Sequence, residues 1–166
     1  QLAAFLRALH GVDLPAIEEL GTPRADAAEW ESMHAAIREH LFAHMRPSAR
    51  PEVDDIFAAL AHIAFTPALI HGDFGTGNLL FEADSERITG VIDFDGASIG
   101  DPATDIAALM SYGSDFIDRF AEAYGADDDL LARATLYQRT FALQEALFGA
   151  QHGDAVALSE GLAEYR

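Results

Sequence analysis

The sequence predicts an α+β fold that is mostly helical and contains one small antiparallel β element. Half of the 166 residues are hydrophobic, which suits one globular domain with a sizeable core. Most apolar residues recur three or four positions apart, which is the spacing of a helix face. Short apolar runs bounded by glycine or polar residues are typical of strands. Three such runs interrupt the helical spacing: Ala68 to Ile70, Leu79 to Phe81 and Ile88 to Ile92.

Two helices and a loop are predicted at the start of the chain. The first helix covers residues 2 to 10 and is closed by Gly11 to Pro15. His10 stands at its carboxyl end, where a potential cation interacts favourably with the helix dipole. Residues 15 to 24 are predicted to form a loop. A long helix is expected from Asp26 until Pro47 ends it, with an apolar face made by Trp30, Met33, Ile37, Leu41 and Met45.

Two histidines of the long helix, His40 and His44, lie one turn apart and could ligate a metal. Surface or packing histidines fit the pattern better, because Leu41 stands where a zinc protease has its glutamate. A further helix is predicted to start at Pro51 and Glu52, with an inward face of Val53, Ile56, Phe57, Leu60 and Ile63.

The part of the chain after the strands is predicted to be helical. A loop from Asp95 to Ile99 leads to a buried helix over residues 103 to 111, and a helix around Phe116 to Tyr124 ends at Gly125. The run Asp127 to Asp129 could bind a cation, but a cap for the next helix is the simpler interpretation. The remaining predictions are a helix from Leu130 to Phe148, a break from Gly149 to Gly153, and a last helix from Ala155 to Tyr165. The sequence leaves open whether Glu145 faces a substrate.

The composition excludes several classes of protein. A net charge of −18 and a pI near 4.4 argue against a nucleic-acid partner. No apolar run approaches the length of a membrane span, and no signal-peptide pattern opens the chain. The chain has no cysteine, which is consistent with a cytoplasmic protein. The acidity could attract a cationic substrate. A solvated acidic surface is the preferred interpretation, because the acidic residues are spread along the chain.

Polar residues with catalytic chemistry begin where two of the predicted strands end. Asp73 and Asn78 follow the first strand within Leu69-Ile-His-Gly-Asp-Phe-Gly-Thr-Gly-Asn78, and Asp93 follows the last within Gly90-Val-Ile-Asp-Phe-Asp-Gly96. We expect these side chains to meet at one edge of the β element. An Asp, an Asn five positions later and an Asp after a later strand is the order found in kinase-type phosphoryl-transfer sites.

Each member of this set suits one part of phosphoryl transfer. The first Asp accepts or orients the proton of the attacking hydroxyl group. The Asn oxygen and the second Asp are hard ligands that suit Mg²⁺, which bridges nucleotide phosphates. Because the transition state is loose, positioning and charge neutralisation do most of the catalysis.

Three motifs together resemble the aminoglycoside phosphotransferase-like superfamily, which includes antibiotic, choline, homoserine and fructosamine kinases. They are His71-Gly72-Asp73 with Asn78, Ile92-Asp93, and Gly100-Asp101-Pro102 with Asp105-Ile106-Ala107. Gly72 stands where protein kinases usually have Arg, which favours the small-molecule branch. The string Asp73-Phe74-Gly75 matches the protein-kinase metal motif by chance, because the preceding His-Gly and the later Asn78 assign Asp73 to the catalytic loop.

The resemblance implies a role for each site residue. Asp73 is the catalytic Asp, while Asn78 and Asp93 bind Mg²⁺ and, through it, ATP or GTP. Asp105 is a helix-borne carboxylate that braces the catalytic loop, and Asp95 is a possible extra ligand. A carboxylate inside an apolar helix must be hydrogen-bonded, which independently favours a bracing role for Asp105. His71 is interpreted as a packing residue that holds the loop, since Asp73 already fills the proton-accepting role.

The chain is expected to be the C-terminal lobe of a two-lobed enzyme, with residues 1–166 as a single domain. Kinases of this type need a lysine on the nucleotide phosphates and a cover over the nucleotide. All ten basic residues here are arginine, and no glycine-rich loop precedes the first helix. The nucleotide lobe is therefore expected outside these residues, and this lobe alone is expected to be inactive.

The expected function is transfer of the nucleotide γ-phosphate to a hydroxyl group of a small molecule. Two alternatives stay open. A non-catalytic, pseudokinase-type binding module would explain the missing lysine, but the presence of Asp73, Asn78 and Asp93 argues against a decayed site. A metal-dependent phosphohydrolase could use the same carboxylates, although no nucleophile motif or second metal cluster is visible in the sequence.

Overall fold

A computed structural model describes all residues from Gln1 to Arg166, and its mixture of helices and short antiparallel strands confirms the predicted α+β class. The helices are α1 Leu2–His10, α2 Leu14–Glu19, α3 Ala27–His40, α4 Arg50–Ala61, α5 Ala103–Ala107, α6 Ser114–Tyr124, α7 Asp128–Gln138, α8 Phe141–His152 and α9 Ala155–Gly161. The strands are β1 Ala68–Ile70, β2 Leu79–Glu82, β3 Arg87–Val91 and β4 Ser98–Gly100. None of the helices is long and apolar enough to cross a membrane.

The chain forms two compact units. The first unit comprises Gln1–Ala25 and Phe65–Thr135, and it contains all four strands. The second unit comprises Asp26–Ala64 and Leu136–Arg166 and is helical. The prediction of one domain over residues 1–166 stays a prediction.

The strands form two separate antiparallel pairs, whereas the sequence predicted a single β element. Strand β1 pairs with β4, with Ile70 opposite Ser98. Strand β2 pairs with β3, with Leu79 opposite Val91 and an irregularity after Leu80. The sequence analysis wrongly assigned β4 to a loop, because Ile99 is its only large apolar residue. Pairing with β1 makes this segment a strand, so its conformation depends on tertiary contacts more than on its own sequence.

Two helix predictions near the start of the chain are wrong. Helix α2 lies in the segment predicted as a loop, where Asp13 precedes the helix and Pro15 occupies its first turn. Helix α3 ends at His40 rather than at Pro47, because a one-turn 3-10 segment, Phe42–His44, takes over. Helices α1, α4 and α6 are confirmed within a residue or two of their predicted bounds.

The predicted helix from Leu130 to Phe148 consists of two helices, α7 and α8. The break lies at Thr140, whose backbone N–H and hydroxyl both donate to the carbonyl oxygen of Tyr137, at 2.9 and 2.7 Å. A threonine side chain that bonds its own backbone competes in this way with helix continuation. Gly149, expected in a break, lies within α8, which ends at Gly153 with a left-handed φ of 73°. Two other predicted helices are shorter than expected: α5 gives way to the 3-10 segment Ala108–Tyr112, and α9 ends at Gly161.

Each unit has its own buried apolar core. In the first unit the core residues come from α1, the β1–β4 pair and the helices after it: Leu6, Ile70, Phe74, Ile99, Ile106, Leu109 and Phe120. In the second unit they come from α3, α4, α8 and the end of the chain: Ile37, Leu41, Val53, Ile56, Phe57, Leu60, Leu143 and Leu162. The apolar faces predicted for α3 and α4 are confirmed as buried or half-buried.

Helices α8 and α9 of the second unit approach each other through glycine. A Cβ atom on Gly161 would lie 2.6 Å from the backbone nitrogen of Ala146, and one on Gly149 would lie 2.7 Å from the carbonyl oxygen of Asp154. Both neighbours are backbone atoms of a packed helix pair, so neither can move aside easily. These two positions therefore need glycine for packing rather than for backbone freedom.

We predict that Gly161→Ala destabilises the protein by about 1–3 kcal/mol, because the added methyl group overpacks the contact with α8. Alanine normally favours a helix over glycine, so a measured loss reports the overlap and not the helix propensity. Gly77→Ala is the matched control, since nothing lies within 4 Å of its Cβ position. Urea unfolding of both variants provides the comparison, and equal stabilities would contradict the close approach of α8 and α9.

Candidate active site

Two connecting loops lie side by side because of the strand pairing. The loop of residues 71–78 leads from β1 to β2, and the loop of residues 92–97 leads from β3 to β4. Each loop thus joins one strand of each pair. Since β1 is antiparallel to β4 and β2 to β3, both loops run along the same end of the two pairs. The carbonyl oxygen of Asn78 accepts a hydrogen bond from the N–H of Ile92 at 3.0 Å, which joins the loops directly.

A second contact between the loops requires glycine. Gly72 has a φ of 84°, in the left-handed region, and a Cβ atom there would overlap the carbonyl group of Gly96. Any other residue would be strained by the backbone angle and would also push the loops apart. This backbone contact therefore holds Asp73, which follows Gly72, near Asp95, which precedes Gly96.

Asp73 and Asn78 form a hydrogen-bonded pair. The Asn78 side-chain Nδ2 donates to the Asp73 carbonyl oxygen at 2.8 Å and to its carboxylate Oδ2 at 3.0 Å. Asp73 is solvent-exposed, and Asn78 is half-buried. The amide oxygen of Asn78 receives no hydrogen bond from the protein, so it is free to bind another group.

Asp93 follows Ile92 and so begins the second loop beside Asn78. It has a φ of 64°, an uncommon value for a residue other than glycine, though Asp tolerates it better than most. Both Asp93 and Asp95 are exposed, and neither carboxylate forms a hydrogen bond or ion pair with the protein. The structure thus brings the loops of Asp73, Asn78 and Asp93 together, as the sequence analysis expected. The role assigned to each residue stays a prediction.

The side-chain oxygens available for metal binding in the two loops fit Mg²⁺. The free oxygen of half-buried Asn78 and the exposed carboxylate of Asp93 are hard and have no protein partners, as Mg²⁺ ligands should be. No group of three or more His, Cys, Asp or Glu side chains in the structure could enclose a metal ion.

The buried ring of His71 links the two loops through both of its nitrogens. The N–H of Asp73 donates to Nδ1 at 3.3 Å, which makes Nδ1 an acceptor. The proton is then on Nε2, which donates to the carbonyl oxygen of Ile92 at 2.9 Å. The ring also packs against Phe94, with centroids 4.5 Å apart. Because both nitrogens are in use, the geometry agrees with a holding role for His71 rather than acid–base chemistry.

The carboxylate of Asp105, on α5, is completely buried beneath the first loop. Its Oδ2 accepts the N–H of His71 at 2.8 Å, and its Oδ1 accepts the N–H of Gly72 at 3.0 Å. A buried carboxylate without such donors would be very costly. These bonds satisfy two loop amides that have no strand partner, and they fix the backbone immediately before Asp73.

His10 belongs to this network, which the sequence analysis missed by treating it as a cation at a helix end. Its Nε2 lies 3.0 Å from Asp105 Oδ2, and its Nδ1 lies 2.7 Å from the hydroxyl oxygen of Tyr124. Burial, followed by the nearby charges of Asp105 and Asp101, raises the pKa of Tyr124 above its ordinary value. One signal was available: His10 falls on the same face of α1 as the buried Ala3 and Leu6.

A second buried carboxylate, Asp101, was also missed as a structural element. Its Oδ1 caps α5 by accepting the N–H of Ala103 at 3.0 Å, and Arg133 Nε donates to its Oδ2 at 2.9 Å. Asp127 Oδ1 accepts the N–H of Leu130 at 2.8 Å, as expected of a cap for α7. Glu145, His40 and His44 are exposed and belong to no metal-binding group.

The sequence matches the family described as APH, phosphotransferase enzyme family, over residues 1–139. A viomycin phosphotransferase from Streptomyces vinaceus is 38% identical over 149 residues, covering 87% of this chain and 52% of that protein. The chain thus spans about half the length of this curated relative.

Solved structures of phosphotransferases share the fold of the chain. A GDP complex of wild-type aminoglycoside 2'-phosphotransferase-IIIa has a TM-score of 0.83 at 26% identity, covering 98% of this chain and 58% of that one. A macrolide 2'-phosphotransferase type I has a TM-score of 0.78 at 22% identity, covering 99% and 57%; its identity is low enough that it indicates the fold alone.

We predict different stabilities for two aspartate variants of the first loop and its support. Asp105→Ala leaves the amides of His71 and Gly72 and the ring of His10 without their acceptor, so it should cost about 1–3 kcal/mol or more. Asp73→Ala removes an exposed carboxylate and should leave stability unchanged or slightly raised. Thermal melts of the two variants test this contrast. Equal, negligible shifts would mean that Asp105 does not hold the loop.

Proposed function

The chain belongs to the phosphotransferase enzyme family, and we propose that the protein transfers the γ-phosphate of a nucleoside triphosphate to a hydroxyl group of a small molecule. The observation that carries this proposal is the contact between two loops. One bears the hydrogen-bonded pair Asp73 and Asn78, and the other bears Asp93. That combination supplies a proton acceptor and two hard oxygen ligands at one exposed surface of the first unit.

In this proposal Asp73 orients the attacking hydroxyl group. The Asn78 amide occupies Asp73 Oδ2, which leaves Oδ1 to accept the proton of the acceptor. An ordinary exposed carboxylate is sufficient for this role, because the loose transition state develops little demand for a strong base. His71 and Asp105 contribute by fixing the backbone on either side of Gly72, so Asp73 is positioned before the acceptor arrives.

The proposed cofactors are Mg²⁺ and ATP or GTP. Asn78 and Asp93 would hold the metal, with Asp95 as a possible additional ligand two residues further along the same loop. Bound there, the metal would neutralise charge on the nucleotide phosphates. Related structures are described as complexes with GDP and with ATP, which supports a nucleotide without selecting the base.

The nucleotide-covering lobe is proposed to lie in a part of the protein outside these 166 residues. The chain has ten arginines and no lysine, although enzymes of this type use a lysine on the phosphates. The relatives are also considerably longer than this chain. We therefore propose that residues 1–166 alone do not turn over nucleotide, and that the protein acts in the cytoplasm, where nucleoside triphosphates are available.

The proposed acceptor is an antibiotic-like small molecule that carries a hydroxyl group. The relatives are described as phosphotransferases of viomycin, aminoglycosides and macrolides, which supports this class without choosing a member. A binding module without activity is disfavoured, since Asp73, Asn78 and Asp93 are all present and their loops are in contact. A phosphohydrolase is disfavoured because the matching family and the curated relative are described as phosphotransferases.

Phosphate transfer by the full-length protein tests the proposal. The protein is incubated with Mg²⁺, ATP or GTP, and single acceptors including viomycin, an aminoglycoside, a macrolide and choline. Mass spectrometry should detect one acceptor that gains one phosphate group. Release of inorganic phosphate independent of any acceptor would indicate a hydrolase, and nucleotide binding without turnover would indicate a binding module.

We predict that two substitutions in the full-length protein separate the proposed base from the proposed metal ligand. Asp73→Asn should lower kcat about 100-fold or more while nucleotide affinity stays nearly intact, because Asp73 contacts the acceptor. Asp93→Asn should also weaken binding of the magnesium nucleotide by about tenfold or more, roughly 1.4 kcal/mol, because it removes a charged ligand.

Calorimetric titration with the magnesium nucleotide distinguishes the two variants. Asp95→Asn serves as the comparison, since its carboxylate lies in the same exposed loop as that of Asp93. If Asp73→Asn and Asp93→Asn lost nucleotide binding equally, or if Asp73→Asn kept full turnover, the assignment of base and metal ligand would be wrong.

A further inference from the structure

We propose that His10 and Tyr124 are positioning residues for phosphoryl transfer, acting through Asp105 on the loop that carries Asp73. This inference rests on the proposed function, because it assigns the pair to that reaction. Neither side chain approaches the exposed carboxylates of the two loops. Hydrogen bonds between α6, α1 and α5 connect the two side chains to the backbone amides of His71 and Gly72.

An unbroken series of hydrogen bonds connects Tyr124 to the loop of residues 71–78. The hydroxyl group of Tyr124, at the end of α6, lies 2.7 Å from His10 Nδ1, and His10 Nε2, at the end of α1, lies 3.0 Å from Asp105 Oδ2. That same oxygen accepts the N–H of His71 at 2.8 Å, and Oδ1 accepts the N–H of Gly72 at 3.0 Å. Asp73 is the next residue, so the loop position is fixed with respect to α1 and α6.

The hydrogen bonds of this network are all satisfied when the ring of His10 is neutral. Backbone amides can only donate, so both oxygens of Asp105 act as acceptors. In the neutral imidazole, Nε2–H of His10 is the third donor to Asp105, and Nδ1 then accepts from the phenol of Tyr124. The raised pKa of Tyr124 keeps its hydroxyl group protonated and able to donate. Every side-chain nitrogen and oxygen atom of Tyr124, His10 and Asp105 therefore has a partner.

The structure distinguishes a positioning role from simple core packing. Asp105 is fully buried and the side chain of His10 is 5% exposed, so water cannot replace either partner. Without His10, Oδ2 keeps only the His71 amide, and the carboxylate can turn about its Cβ–Cγ bond. A turn of Asp105 moves the amide of Gly72 and with it Asp73. Catalysis is sensitive to such a shift, since a displacement of about 1 Å can cost about 100-fold in rate.

Two amide substitutions of His10 separate its two hydrogen bonds. The side-chain nitrogen of Gln corresponds to Nε2 and can still donate to Asp105, whereas that of Asn corresponds to Nδ1 and can reach only Tyr124. In the full-length protein, His10→Gln should lower kcat only severalfold, because it keeps the donor to Asp105 and loses the contact with Tyr124. His10→Asn should lower kcat about 10–100-fold with the KM for nucleotide unchanged. His40→Gln, at an exposed position on α3, is the control for replacing a histidine.

Tyr124→Phe removes a single oxygen atom and keeps the ring stacked on Phe120, with centroids 5.5 Å apart. On its own, Tyr124→Phe should lower kcat severalfold. If Tyr124 and His10 act through the same series of hydrogen bonds to Asp105, adding Tyr124→Phe to His10→Asn should lower kcat no further. Should His10→Asn fail to fold, Tyr124→Phe and His10→Gln carry the test. Full kcat in Tyr124→Phe together with loss of kcat in His10→Gln would overturn the proposal.

Hydrogen exchange at the amides of His71 and Gly72 provides the readout that does not depend on activity. Exchange should be faster in His10→Asn and unchanged in His10→Gln and His40→Gln. If wild-type protein transfers no phosphate to any acceptor, the proposed function fails, and the exchange rates alone decide whether His10 holds the loop. Unchanged exchange and unchanged kcat in folded His10→Asn would show that His10 only fills the core.

Discussion

The structure around the proposed site depends on the buried carboxylate of Asp105. Two amides of the loop after β1 point away from any strand, so they need an acceptor from elsewhere. Asp105 supplies both acceptor oxygens from a helix that is distant in sequence. The penalty for burying its charge is offset only while the loop keeps its place. The cost of leaving a buried carboxylate unpaired therefore fixes the conformation of an exposed loop.

The sequence predicted that Asp105 needs a partner, and the resemblance implied the catalytic loop, but neither indicated His10. A carboxylate among Ile106, Ala107 and their neighbours must be satisfied, and this could be inferred from the helix alone. His10 was harder to identify, because its position on the buried face of α1 indicates burial but not a partner that lies 95 positions away. The same limit explains β4, which is a strand only because β1 lies beside it, and the break at Thr140, where one hydroxyl bond competes with helix continuation.

The residues of the proposed site were more accessible to prediction than the architecture that holds them. Asp73 and Asp93 come shortly after apolar runs and Asn78 directly precedes one, and the order of the three types is specific enough to suggest phosphoryl transfer. The sequence predicted that these side chains meet but not the contacts that hold their loops together, which are two strand pairings and the glycine contact between residues 72 and 96. The sequence thus identified the residue types of the proposed site, whereas the distances between their side chains depend on the fold.

Both loops connect the same two strand pairs, and this limits where the chain can gain or lose residues. The turn at residues 83–86 lies at the far end of the β2–β3 pair from the loops, so an insertion there leaves the separation of Asp73 and Asp93 untouched. One residue added to the 71–78 loop would act differently, because it would lengthen the segment between Gly72 and Asn78, both of which are held against the second loop. Length variation among relatives of this chain should therefore concentrate at the hairpin tip and spare the two loops.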